Sequence, residues 1–292
     1  AALFALARKD LSALGSLSVG RASAGALVNG VRIRSAPAWV KVIDPNGAWG
    51  TSETLGFLRA AYTAAKTALP QLPPLTVGHI SDRYGGPLVP HKSHQSGRDV
   101  DISYFYLNKS RWYRRATAKN LDRKRSWAYV RALVVHTDVQ YIFINSSVQK
   151  LLKEHAIAAG EDRTWLDRLF QYDSTEKSPL IRHVTGHDTH LHVRFYNAVA
   201  QELARRVYPV LVEKKLIRPA RSFIKYRARK GDLLMHIAKR HGTTVADIQR
   251  ANGLRDVRIR AGRTYLIPKK TKRQLQLPAK VHVPARRLPP TK

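Results

Sequence analysis

The chain of 292 residues contains no cysteine, which excludes a disulfide framework and any thiolate metal site, so that a bound metal has only histidine and carboxylate to hold it. Acidic residues are scarce: 20 Asp and Glu stand against 52 Lys and Arg, a formal net charge of +32. That excess implies an anionic partner without identifying it, because nucleic acid, an acidic membrane surface and an anionic cell wall all satisfy the same Coulomb attraction. Long apolar runs are also missing. The short run 1–7 ends at Arg8-Lys9, and no stretch of about 18 apolar residues follows, so nothing present spans a membrane and the chain is expected to be soluble. Methionine occurs once, at Met235. Ala1 is therefore no translational start, and a secretory leader is expected to have preceded it.

What is present is enough for a packed core, 43% apolar residues, in a length that suits two domains. Residues 1–30, rich in Ala, Gly and Ser without a clear period, read as a leader remnant or loosely held arm. From Val31 to about Ile217 strands and helices mix, giving an α+β class. The runs 75–80, 99–103, 140–145 and 190–195 have strand composition. Thr51-Ser52-Glu53 can cap a helix with Leu55, Leu58 and Tyr62 on one face, and 197–216 carries Val199, Leu203, Val207 and Leu211 at helical spacing. Residues 218–222, with Pro219, form a hinge, and a small domain follows over 223–268: strand, Gly231-Asp232 turn and cap, helix, second helix, Asn252-Gly253 turn, last strand. The tail 269–292 holds eight basic residues, four prolines and no acid, a composition expected to remain disordered because it cannot offset its own ordering entropy.

Histidine is unevenly spread. Five of the twelve histidines fall in 91–94 and 187–192, within His91-Lys92-Ser93-His94-Gln95-Ser96-Gly97-Arg98-Asp99-Val100-Asp101 and His187-Asp188-Thr189-His190-Leu191-His192. His190 and His192 project from one face of an extended segment, as do Asp99 and Asp101, so four polar groups converge if the two strands pair. Two neutral imidazoles and one carboxylate suffice for a catalytic zinc with an open fourth position, and His94, Asp101 and His192 are the expected set. Without a metal, placing these groups inward would cost about 1–3 kcal/mol for each one left unpaired.

On these residues the chain resembles the superfamily that unites lysostaphin-type peptidases, D-alanyl-D-alanine peptidases and hedgehog domains. More narrowly, Ser93–Asp101 and His187-x-x-His190-x-His192 resemble the penicillin-insensitive murein endopeptidases, over about Asn29 to Phe195. The resemblance implies one zinc per chain on His94, Asp101 and His192, and cleavage of the D-alanyl to meso-diaminopimelyl cross-link of peptidoglycan. The expected fold is a small antiparallel sheet flanked by helices. His190 is then the candidate general base and His187 the donor to the oxyanion or the leaving amine, roles that can be exchanged. Asp99 and His91 are expected to orient the ligands, with His91 also placed to touch substrate.

Residues 226–268 resemble LysM, a βααβ module that binds N-acetylglucosamine-containing glycans. Tyr226-Arg227-Ala228-Arg229-Lys230-Gly231-Asp232-Leu233-Leu234, Asn252-Gly253-Leu254, Arg260-Ala261-Gly262 and Leu266-Ile267-Pro268 carry the likeness. It implies glycan contacts around Gly231, Asp232, Leu233 and Leu234 and around Arg260, Ala261 and Gly262. Two rival readings remain. A non-catalytic peptidoglycan-binding protein would keep the zinc without using His187 and His190. A nucleic-acid-binding protein rests on charge alone and leaves the histidines unexplained, so peptidoglycan and not nucleic acid is the expected partner, in the periplasm or cell envelope. Ser147-Val148-Gln149-Lys150 fits the Ser-x-x-Lys pattern of serine enzymes, but Ser-Asp-Asn and Lys-Thr-Gly are absent, and Ser147 is read as a helix N-cap.

Overall fold

A computed structural model describes residues 2–108, 112–217, 222–269 and 280–291. The chain opens with helix α1 (Ala2–Lys9), a 3-10 turn (Leu11–Leu14) and a hairpin of β1 (Leu17–Arg21) and β2 (Ala24–Val28), followed by β3 (Val31–Arg32), β4 (Val40–Val42) and β5 (Trp49–Gly50). Helix α2 (Ser52–Ala68) leads to β6 (Leu75–Val77) and β7 (Asp99–Ser103). Then come α3 (Arg123–His136), β8 (Val139–Phe143), α4 (Ser146–Ala158), α5 (Arg163–Leu169), β9 (Ile181–Arg182), β10 (His190–Phe195) and α6 (Ala198–Glu213). The module beyond consists of β11 (Ser222–Arg227), α7 (Leu234–Arg240), α8 (Val245–Asn252) and β12 (Thr264–Lys269). Among the described residues no helix is long and apolar enough to cross a membrane.

The central sheet has six strands in the order β4-β6-β7-β10-β8-β9. Its four inner strands are antiparallel, as expected, but both edge pairs, β4 with β6 and β8 with β9, are parallel. The sheet is therefore mixed. Val100, Ile102, Ile142 and Val193 are fully buried, and α2, α3 and α4 pack with them in one core. Thr51 caps α2 by accepting from Thr54 N. Leu58 and Tyr62 face inward, with Leu55 half-buried against the same core. On α6 the buried face is Ala200, Ala204, Val207 and Leu211, and Val199 points to solvent. The face turns because the first turn of α6 is held from outside, Val199 and Ala200 N–H donating to the Glu53 carboxylate at 3.2 and 2.7 Å.

Residues 2–28 are not an arm. Leu17, Val19, Ala26 and Val28 of the hairpin, with Ala7 of α1, pack against Ala204, Val207, Val210 and Leu211 of α6 as a second core. The Ala- and Gly-rich composition that reads as a loose segment is what lets two strands approach a neighbouring loop. A Cβ on Gly25 would lie 2.8 Å from Ser96 Cβ. The hairpin grips the loop that carries His94: Gln95 N donates to Ala22 O at 3.0 Å, Ser18 Oγ donates to Ser96 O at 2.8 Å, and Leu27 N donates to Tyr84 O at 2.9 Å.

Two capping expectations also change. Asn145, not Ser147, caps α4 by accepting from Ser147 N. Asp232 does not cap α7, whose N-cap position is Leu233; its carboxylate accepts instead from Arg229 N and Tyr226 Oη. Residues 218–221 and 270–279, expected as hinge and tail, lie outside the described residues. The tail's remainder, 280–291, includes Val283–Arg287 lying against the larger domain.

The second core yields a test. Leu17→Ala, which empties a fully buried site in the hairpin, is expected to destabilise the protein by about 2–5 kcal/mol in denaturant unfolding, the range for a core truncation. A loosely held arm would show no change.

Candidate metal centre

The pairing of β7 with β10 places His192 opposite Asp101, His190 opposite Ser103 and Arg194 opposite Asp99. Because side chains alternate along each strand, the four polar groups at positions two apart share one face. His94 reaches them from the preceding loop through a left-handed backbone, φ 63°. That bend is held by His94 N–H donating to Asp99 Oδ2 at 3.0 Å.

The partners of each ring fix which nitrogen carries the proton. His94 Nδ1 lies 3.0 Å from Ile80 O. A carbonyl only accepts, so Nδ1 donates and Nε2 turns its lone pair to Asp101 Oδ1, 3.3 Å away. His192 stands between two carboxylates, Nε2 3.2 Å from Asp99 Oδ1 and Nδ1 3.6 Å from Asp101 Oδ1. A proton on Nε2 leaves the Nδ1 lone pair facing Asp101. For His91 the order runs through a third imidazole: His79 Nε2 donates to Asp44 Oδ2 at 3.1 Å, so His79 Nδ1 accepts from His91 Nε2 at 2.8 Å. His91 Nδ1 then faces Asp101 Oδ2 at 3.6 Å. Three nitrogen lone pairs thus converge on one carboxylate.

Acceptors facing acceptors at 3.3–3.6 Å repel unless a cation or a proton lies between them. His94 Nε2, Asp101 Oδ1 and His192 Nε2 are buried without a hydrogen-bond partner, although His94 and His192 stand within ion-pair distance of Asp101 and Asp99; the distances suffice and the angles do not. Burial pushes the His94 pKa down, but Asp101, Asp99 and the Ile80 carbonyl together outweigh it and the net shift is upward. For Asp101, burial is outweighed by His94, His192 and His190, which hold its carboxyl well below the usual range. The ligand-capable atoms of His94, Asp101 and His192 lie within 4.8 Å of one another, as do those of His79, His91 and Asp101. A divalent ion fits this donor set: two imidazoles and a carboxylate bring ligand-capable atoms within reach of one point, and His94 Nε2 and Asp101 Oδ1 are buried there without a hydrogen-bond partner.

His190 and His187 stand beside the cluster. His190 Nε2 is 3.6 Å from Asp101 Oδ1, and its Nδ1 is 2.9 Å from Thr189 Oγ1. A hydroxyl both donates and accepts, so His190 is the ring whose tautomer is left free. Burial is the main cause lowering its pKa, and burial followed by the neighbouring His190 lowers that of His187 to about 4. Both rings are thus neutral at pH 7. Asp99, at the floor, accepts from Arg194 Nε at 2.6 Å as well as from His94 N.

Residues 18–209, well over half of the chain, match the family model for penicillin-insensitive murein endopeptidases. The chain belongs to that family. Residues 226–268 match the LysM domain model. Proteins named penicillin-insensitive murein endopeptidase from Yersinia pestis and Yersinia enterocolitica are each 29% identical over 179 residues, 56% of this chain and 58% of theirs. One from Pectobacterium atrosepticum is 26% identical over 197 residues, 61% of this chain and 63% of its own. The chain thus spans less than two thirds of the length of these curated relatives. The family's metallopeptidase character agrees with the His and Asp groups assembled here.

All seven residues expected at this family site lie together: His91, His94, Asp99, Asp101, His187, His190 and His192. Missed were His79 and Asp44 behind His91, Arg194 beneath Asp99, and the aromatic wall of Trp112 and Tyr113. Tyr113 stacks on His190 with centroids 5.5 Å apart, and Trp112 lies 6.1 Å from it. Arg194 was readable as the next same-face residue after His192, opposite Asp99 by the same register. His79 was a histidine inside the mainly apolar run 75–80. Trp112 and Tyr113 have no periodic signal; they depend on Gly78, where a Cβ would come within 2.1 Å of the Trp112 ring. Of the rival motif, Ser147 Oγ donates to Asn145 Oδ1 and Lys150 pairs with Glu154 at 3.9 Å, so neither serves the other.

In the module, Ala228 N–H donates to Arg263 O and Gly262 N–H to Ala228 O. The two expected glycan loops, 231–234 and 260–262, are thereby joined through Ala228. Leu234 is a correction: it is 2% exposed inside the module's core and offers no side chain to a ligand, whereas Leu233 is 54% exposed.

Removing the guanidinium under the site tests its role. Arg194→Leu strands the Asp99 carboxylate, 1% exposed, and is expected to cost about 3–5 kcal/mol in denaturant unfolding, the penalty for breaking a buried pair from one side.

Proposed function

We propose that the chain is a zinc-dependent murein endopeptidase that hydrolyses D-alanyl to meso-diaminopimelyl cross-links of peptidoglycan outside the cytoplasm, kept on its polymer by the LysM module. The observation that carries this reading is the convergence of unsatisfied lone pairs on Asp101 inside a chain of this family. His94, Asp101 and His192 would hold the ion, with His91 Nδ1 facing the same carboxylate. When bound, zinc supplies Lewis acidity and a water whose pKa falls towards about 7.

The chain's own groups divide the remaining work. Asp99 and the Ile80 carbonyl hold the ring protons of His192 and His94 away from the centre. Asp44 does the same for His91 through His79. His190, neutral and free in tautomer, accepts the proton of the attacking water at Nε2. His187, 4.8 Å away between ring centroids, relays that same proton from His190 to the leaving amine, so both rings end the cycle neutral. Trp112 and Tyr113 wall the His190 side and exclude bulk water from it. A purely binding role would leave both neutral histidines without a use. In the module, the loops 231–233 and 260–262 are the glycan-contact surface, and the +32 charge favours residence in an anionic envelope.

Three outcomes are expected. Elemental analysis finds one zinc per chain, reduced in His94→Ala and His192→Ala; full retention in both variants overturns the ligand assignment. His190→Ala lowers cleavage of cross-linked muropeptide dimers, followed by mass spectrometry, about 10²–10⁴-fold with zinc retained, while Ser147→Ala and penicillin leave it unchanged. Ending the chain at residue 217 lowers sacculus binding in pull-downs at both low and high salt but spares cleavage of small soluble muropeptides, because the module supplies local concentration and not chemistry.

A further inference from the structure

Beyond the module, the chain returns to the peptidase domain, against the start of β8 and the end of α5. Arg286 Nε donates to Asp138 Oδ1 at 2.9 Å, just before β8. The Arg287 guanidinium donates to two main-chain carbonyls, Arg168 O at 2.5 Å and Ser178 O at 2.7 Å. Arg168 lies in the last turn of α5, where carbonyls lack helical partners and the helix dipole is negative. The indole N–H of Trp165, a residue only 2% exposed, donates to Arg287 O at 2.7 Å. Val283 and Pro284 lie beside Val134, Tyr141 and Leu180 around a cavity of about 210 Å³.

The chemistry of this trough is specific. An exposed ion pair such as Arg286 with Asp138 contributes little by itself. A planar guanidinium bridging two carbonyls is a different matter, since a lysine ammonium at the same place is a point donor without the fork. A buried indole donor needs an acceptor, and the segment's backbone supplies it. Charge, fork and backbone acceptor together describe a site for a peptide bearing two adjacent arginines.

We propose that this trough is a diarginine-peptide site whose resident ligand is the chain's own Arg286-Arg287, so that the LysM module is closed into a loop fastened to the peptidase domain at both ends. Ser222 and Lys269 pair at one end of the module, so entry and exit lie side by side. The eleven steps from Lys269 to Lys280 span at most about 40 Å, which sets a local concentration on the order of millimolar for the returning segment. A weak contact set is then occupied most of the time, and the module's orientation is restrained where a single hinge would leave it to swing. The inference is independent of the metal centre and its chemistry.

The test uses the full chain, whose lack of cysteine permits clean labelling. Spin labels at Leu288→Cys and Lys150→Cys report their separation by double electron–electron resonance. A narrow distribution is expected, broadening at least twofold in width with Arg286→Ala plus Arg287→Ala. A broad distribution in the parent, or one unmoved by the substitutions, overturns the proposal. A short distance between singly labelled chains that have been mixed would assign the segment to a second copy and overturn loop closure. A synthetic peptide of residues 281–290 should bind the double variant saturably, and its two-lysine analogue at least tenfold more weakly; equal binding overturns the fork.

Discussion

The interaction on which the rest of the molecule depends is the meeting of nitrogen lone pairs with the buried Asp101 carboxylate. Burying an ionised carboxylate among acceptors is unfavourable unless positive charge joins them. The surrounding architecture prevents the cluster from relaxing apart. Ladder bonds between β7 and β10 hold Asp101 against His192. The Asp99–Arg194 pair ties the floor together while also fixing the His94 loop. The N-terminal hairpin clamps that loop from outside.

The same constraint explains the division of labour among the histidines. Rings whose partners are one-way acceptors, the Ile80 carbonyl for His94 and the Asp99 carboxylate for His192, have their tautomers fixed and present a lone pair to the centre. His190, whose partner is a hydroxyl, can gain or lose a proton without breaking a bond. In a cluster where six imidazoles stand ring to ring, the roles follow from the hydrogen-bond capacity of each ring's neighbour.

The LysM module and the charge act on another scale than the histidine cluster. Attraction by the excess Lys and Arg is long-range but screened over about 10 Å at 0.1 M salt. A folded module acts only by contact. With the returning Arg286-Arg287 segment seated, catalytic centre and module are restrained by two connections of limited length, so an attachment point for the module is also a bound on where the cleft can work.

The sequence by itself determined the α+β class, the central strands 99–103 and 190–195, the LysM span, and the histidine and aspartate residues of the centre. Those features are local: the period of two in a strand decides which residues share a face, and capping and turn chemistry act within a few positions. Only the tertiary structure decided the parallel edges of the sheet, the service of Asp44 and His79 to His91, the wall of Trp112 and Tyr113, and the return of residues 283–287 to Trp165 and Asp138. It also turned the Ala- and Gly-rich start of the chain from an expected arm into the clamp on the His94 loop. These rest on contacts between residues far apart in sequence, where composition describes what a segment can do alone and packing decides what it does against a partner.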